Sequence, residues 1–130
     1  MCSSDLLEER VLSASPEQLQ AMLYEAAIRF AQLGRSRLEQ RDLAGASDAL
    51  GRADAVLQEL LAGLRPEVDP TLCRSFGALY QFCVRKLEDA RRTAEVEPIN
   101  DALLILDHLR RTWLMVCEKL AESAEVAAGV

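Results

Sequence analysis

The chain has 130 residues, half of them hydrophobic but only 5% aromatic, with 21 acidic against 15 basic side chains and a formal net charge of -6. That length suits one domain with a single buried core, and the composition favours helices over sheet. The acidic balance opposes the counterion release that drives binding to nucleic acid and to anionic membranes, so neither is expected as a partner. No apolar run approaches the length of a membrane span, so no membrane insertion is expected either.

Residues 1–10, MCSSDLLEER, carry acids where a signal peptide needs a basic region followed by an apolar one, so a cytoplasmic location is expected. A helix is announced next, in SASPEQL. Ser15 is placed as N-cap, Pro16 occupies the first helical position where its missing N–H costs nothing, and Gln18 completes a capping box. Apolar residues then recur at Leu19, Met22, Leu23, Ala26, Phe30 and Leu33, the rhythm of one buried face, and the pattern fades near residue 40.

The stretch DLAGASDALGRADAVLQELLAGL predicts a second helix with Ala46, Leu50, Ala53, Leu57, Leu60 and Leu64 on its inner side. Its first half is rich in Ala and Gly, where a neighbouring backbone can approach closely. RPEVDPT then carries two prolines, which bias their predecessors away from helical geometry and break the chain before Asp69-Pro70. A third helix follows with Leu72, Phe76, Leu79, Tyr80, Cys83, Leu87 and Ala90 on one side. A weaker break at ARRTAEVEP precedes a fourth, striped by Ile99, Leu103, Leu106, Leu109, Trp113, Cys117 and Leu120. The closing ESAEVAAGV has little to hold it.

Four amphipathic helices on short connections bury their faces only against each other. The expected fold is therefore all-α, an antiparallel up-down-up-down four-helix bundle over residues 11–122, between an N-terminal segment at 1–10 and a flexible tail at 123–130.

The chain offers no catalytic or metal-binding set. A bundle di-iron centre needs two Glu-x-x-His units, whereas His108 is the single histidine, read as a solvated surface residue. Cys2, Cys73, Cys83 and Cys117 lack CxxC spacing; the last three read as reduced core or near-core residues. Isolated glycines form no phosphate-binding loop, and a helix cap accounts for Ser15 better than a nucleophile does. No enzyme activity, metal or cofactor is expected.

What remains is surface. An idealised wheel leaves Tyr24, Ile28, Phe82, Leu104, Ile105 and Met115 off the main stripes, an apolar surplus suited to receiving an amphipathic segment of another chain. The alternative use is self-association as a homodimer, or an adaptor role for another export or regulatory client. Met22 and Trp113 read as core residues.

The segments VLSASPEQLQAMLYEAAIRF (11–30), ALYQFCVRKLEDA (78–90) and LLILDHLRRTW (103–113) resemble, in order and spacing, the flagellar secretion chaperones of the FliS type. The resemblance covers about residues 11–120. It implies a cytoplasmic, non-catalytic helix bundle that binds the C-terminal region of newly made flagellin and prevents its polymerisation before type III export. It further implies contact with the flagellar export apparatus. Ser15, Pro16 and Glu17 match the family's helix entry, and Tyr24 and Tyr80 its two Leu-Tyr pairs, with Tyr24 expected at the surface and Tyr80 mostly in the core. Two departures stand out. Glu25-Ala26 replaces the Asp-Gly of many relatives, and the N-terminal segment, a tyrosine-bearing lid in relatives, holds Leu6 and Leu7 in that place.

Overall fold

The computed structural model describes residues 13–129, and among these lie four helices and no strand: α1 Pro16–Glu39, α2 Leu43–Ala62, α3 Pro70–Thr93 and α4 Glu97–Gly129. The α1 entry follows the sequence signal. Ser15 Oγ accepts from the Gln18 amide at 3.2 Å, while Gln18 Oε1 accepts from the Ser15 amide at 2.9 Å, which closes the capping box. Asp42 caps α2 by accepting from the Gly45 amide, and Asp69 caps α3 by accepting from the Leu72 amide, with Pro70 at its first position. Ala94 ends α3 in the left-handed region at φ 57, its amide donating back to the Ala90 carbonyl at 2.8 Å.

Cross-helix contacts fix the directions. Trp113 of α4 meets Glu17 at the start of α1, and Asn100 near the start of α4 meets Arg35 towards the end of α1, so the two helices run antiparallel. Gly51 faces Arg91 and Leu64 faces Gly77, which sets α2 against α3 in the same sense. Lys86 pairs with Asp101, and the Cys83 thiol donates to the Ala102 carbonyl, joining α3 to α4. The result is the expected up-down-up-down bundle. Its core holds Tyr24, Leu50, Leu57, Tyr80, Cys83, Leu87, Ile99 and Leu106, all under 2% exposed.

The inner faces of α2, α3 and α4 follow the predicted stripes in their central turns. Departures come at the ends, where Leu72 is 51% and Leu120 52% exposed.

The buried face of α1 is a correction. Ala21, Tyr24, Ala27, Ala31 and Gly34 point inward, whereas Leu19 and Leu33 are exposed and Met22 and Phe30 half-buried. The reason is steric. α1 and α2 form the most extensive helix pair, with Ala27, Ala31 and Gly34 on one side and Ala46, Ala49, Leu50 and Ala53 on the other. Helices this close admit only small side chains at the seam, and the large apolar residues move to its flanks. Phe30 there lies under the Arg52 guanidinium, 5.9 Å from its ring centre.

At the far end α4 runs longer than expected. It stays helical through Gly129, with every residue from 118 to 129 exposed.

Candidate partner-binding surface

Of the residues singled out for partner binding, Leu6 and Leu7 lie outside the described residues. Tyr24 is a correction: it is 1% exposed, because the α1 face that turns inward is the one that carries it. Ile28, Phe82 and Ile105 are half-buried and packed against the core. Phe82 lies beneath Lys86, whose Nζ is 5.5 Å from the ring centre. Leu104 and Met115 are 70% and 59% exposed on the outward face of α4, the face that also carries the exposed His108. These six residues make no single patch. Two are open, three are flanks of the core, and one is inside it.

A different arrangement gathers at the end of the bundle where α1 begins, α2 passes into α3, and α4 runs on beyond the other described helices. Tyr24 of α1 and Tyr80 of α3 meet across the core, hydroxyl to hydroxyl at 2.6 Å, with ring centres 6.3 Å apart. Gln20, one turn before Tyr24, donates from Nε2 to Tyr24 at 3.1 Å and to Tyr80 at 3.3 Å. Phe76 stacks on Tyr80 at 6.2 Å. Burial pushes both phenols above the usual tyrosine range, and for Tyr80 the neighbouring hydroxyl adds to the effect. Both hydroxyls are therefore neutral hydrogen-bonding groups at physiological pH.

Above this cluster opens a pocket of about 300 Å³, walled by Leu64 and Val68 from the α2–α3 connection, by Leu72 from the first turn of α3 and by Trp113 from α4. Trp113 is held in place because its indole N–H donates to the Glu17 carbonyl at 2.8 Å. That carbonyl lies in the first turn of α1, so one bond ties α4 to the helix entry that the capping box sets.

Past Trp113 the inward stripe of α4 has no cover from the other described helices. Val116 is 40% and Leu120 52% exposed, although both continue the side that buries Leu106 and Leu109 further back. The segment from Leu114 to Gly129 extends about 24 Å beyond the indole. An apolar helical face, a pocket at its root and a neutral hydrogen-bonding floor suit the capture of an amphipathic polypeptide.

Among the described residues no three His, Cys, Asp or Glu side chains gather as a metal-binding group, and no helix is long and apolar enough to cross a membrane. Cys83 is buried, its thiol pushed up to about 12, which keeps it an unreactive thiol.

Sequence reasoning placed Phe76, Tyr80 and Trp113 in the core and missed Gln20, Val68 and the uncovered part of α4. No length signal marked that part, since Leu120 lies 24 residues into α4 and its neighbours α1 and α3 are each 24 residues long.

Comparison with known proteins gives a consistent picture. Residues 3–120 match the family described as flagellar protein FliS. The chain is 29% identical over 114 residues to the flagellar secretion chaperone FliS of Salmonella typhimurium, covering 87% of this chain and 84% of that protein. It is 30% identical over 123 residues to the one from Bacillus subtilis, covering 95% and 91%. A crystal structure of a bacterial flagellar chaperone superposes with a TM-score of 0.75 at 18% identity, over 91% of this chain and 99% of that one. The match spans the whole bundle, from before the α1 cap to the exposed turn of α4 at Leu120, and on that extent the chain belongs to the FliS family of flagellar secretion chaperones.

Proposed function

We propose that this protein is a cytoplasmic export chaperone that captures the C-terminal region of flagellin, prevents its premature polymerisation and keeps it competent for flagellar type III secretion. The observation that carries the reading is the uncovered continuation of the α4 stripe beside the Trp113 pocket. Membership of the FliS family supplies the class of client.

A disordered client segment folds partly into helix as it lies along α4, and this hides the amphipathic surface that would otherwise seed a filament. Ordering such a segment costs on the order of 2–5 kcal/mol, so capture requires apolar burial that exceeds it. The exposed Val116 and Leu120 face and the Leu72–Trp113 pocket offer that burial.

Isothermal titration with a peptide spanning the C-terminal helical region of flagellin from the same organism tests the reading. Saturable one-to-one binding with a negative heat-capacity change is expected. Absence of binding to a protein whose helicity is intact would assign the surface to another client.

A further inference from the structure

Beyond Trp113 the two edges of the uncovered α4 stripe differ in charge. On an ideal helix Val116, Leu120 and Ala124 continue the side of Leu106, Leu109 and Trp113. Glu118 lies about five whole turns after Asn100, whose side chain meets Arg35 of α1, and Glu125 follows two turns later on the same edge. Lys119 stands on the opposite edge, about five turns after Asp101, which pairs with Lys86 of α3. On the covered part of α4 the acids are paired, Asp101 with Lys86 and Asp107 with Arg110 and Arg111. Glu118, Glu122 and Glu125 are exposed and form no ion pair with another described residue.

We infer that the client segment on this face is a helix carrying cationic side chains along one edge of its apolar stripe, spaced to meet Glu118 and Glu125. The inference rests on the chaperone reading above. Ala124 and Ala127 let a helix lie close to the stripe, and the two glutamates beside it then fix which edge of the client faces α1, as edge charges do in coiled coils. Charge also decides between occupants. A second copy would bring the same three glutamates, with Lys119 the only base between residues 114 and 129. The chain's own first ten residues would bring Asp5, Glu8 and Glu9 against Arg10. Both are acidic like the edge itself, so a cationic segment of another chain is the occupant that this edge attracts.

Two designed helical peptides test this. They share one Leu and Ala stripe and differ at the flanking positions, lysine in one and glutamate in the other. Trp113, the single tryptophan, stands at the root of the face, so its emission follows binding. The lysine peptide binds about tenfold more tightly at low salt, through exposed pairs whose effect shrinks as salt rises. Glu118→Lys with Glu125→Lys reverses the preference, and both positions are exposed, so the fold is kept. Glu39→Lys with Glu95→Lys makes the same change in net charge at the other end of the bundle and leaves the preference in place.

Equal affinity for the two peptides, binding of neither, or a preference that survives the exchange at 118 and 125 overturns the inference and leaves the chaperone reading standing. A preference lost as fully on exchange of Glu39 and Glu95 overturns it too, because net charge alone is then at work. A dimer of the free protein that Leu120→Glu splits would assign the face to a second copy. Tighter binding of both peptides after Leu6→Ala with Leu7→Ala would assign it to the chain's own N-terminus. Either result overturns the inference. Failure of the wild type to bind flagellin's C-terminal peptide defeats the chaperone reading itself.

Discussion

The two ends of the bundle are built from similar sequence material and do opposite things. At the end where α1 passes into α2, Gly34, Ala46 and Leu50 interlock, Arg35 reaches Asn100 at 2.8 Å, and Arg37 donates to the Gly45 carbonyl at 3.1 Å. Small residues let the backbones close, and the polar side chains tie the rim. At the other end Tyr24, Phe76, Tyr80 and Trp113 hold the helices apart, a pocket remains between them, and α4 projects with its stripe uncovered. Both ends are rich in Ala and Leu, so hydrophobicity alone does not separate them. Side-chain size at the seam does, since it decides whether neighbouring helices seal or leave a groove.

Breaking the closed end should have the largest effect. Leu50 is fully buried, and Leu50→Ala is expected to cost about 2–5 kcal/mol of stability through lost burial and the cavity left behind. Denaturant unfolding measures this directly.

The same end should also resist enlargement. A Cβ at position 34 would fall 2.5 Å from Leu50 Cδ2 and 2.7 Å from its Cγ, so Gly34→Ala should destabilise by about 1–3 kcal/mol through overpacking. Gly51, whose Cβ would meet Arg91 no closer than 3.8 Å, provides the contrast. Gly51→Ala should stabilise by roughly 0.5–1 kcal/mol, because a helix-interior glycine is entropically costly and nothing obstructs the methyl group. Thermal melts of the two variants should move in opposite directions.

Alkali should separate the open end chemically. Tyr24 and Tyr80 are raised above 10 by burial, and Cys83 rises from 9.0 to about 12. Groups whose folded pKa is raised contribute stability in full below the unfolded value and lose it as pH climbs towards the folded one. Stability should therefore be flat through neutrality and fall above about pH 9–10, and Tyr24→Phe with Tyr80→Phe should make that fall shallower. Urea midpoints across this pH range provide the check.

The smallest stability effect is expected on the outer face of α4. Leu104→Ala and Met115→Ala touch exposed side chains and should change stability by no more than about 0.5 kcal/mol. A larger loss would mean that this face is covered.

Much of the architecture was legible because its signals are local. The Ser15 capping box, the Asp69-Pro70 break and the Leu50, Leu57 and Leu60 stripe each depend on neighbours within a turn or two. The inward face of α1 was not. A hydropathy wheel weights Leu19, Met22 and Leu33 above Ala27, Ala31 and Gly34, yet closeness to α2 demands the small residues, and only the fold reveals that demand. Tyr24 was placed at the surface by the same error. The Tyr24–Tyr80 bond joins residues 56 positions apart, and Gln20 acquires its role only once that bond exists, so no local pattern could expose the pocket floor.

Whether the open end receives the client is decided by amide hydrogen exchange of the protein with and without flagellin's C-terminal peptide. New protection is expected over residues 16–24, 64–80 and 113–129, with residues 34–53 unchanged. Protection concentrated over 34–53, with the Trp113 region unaltered, would contradict it.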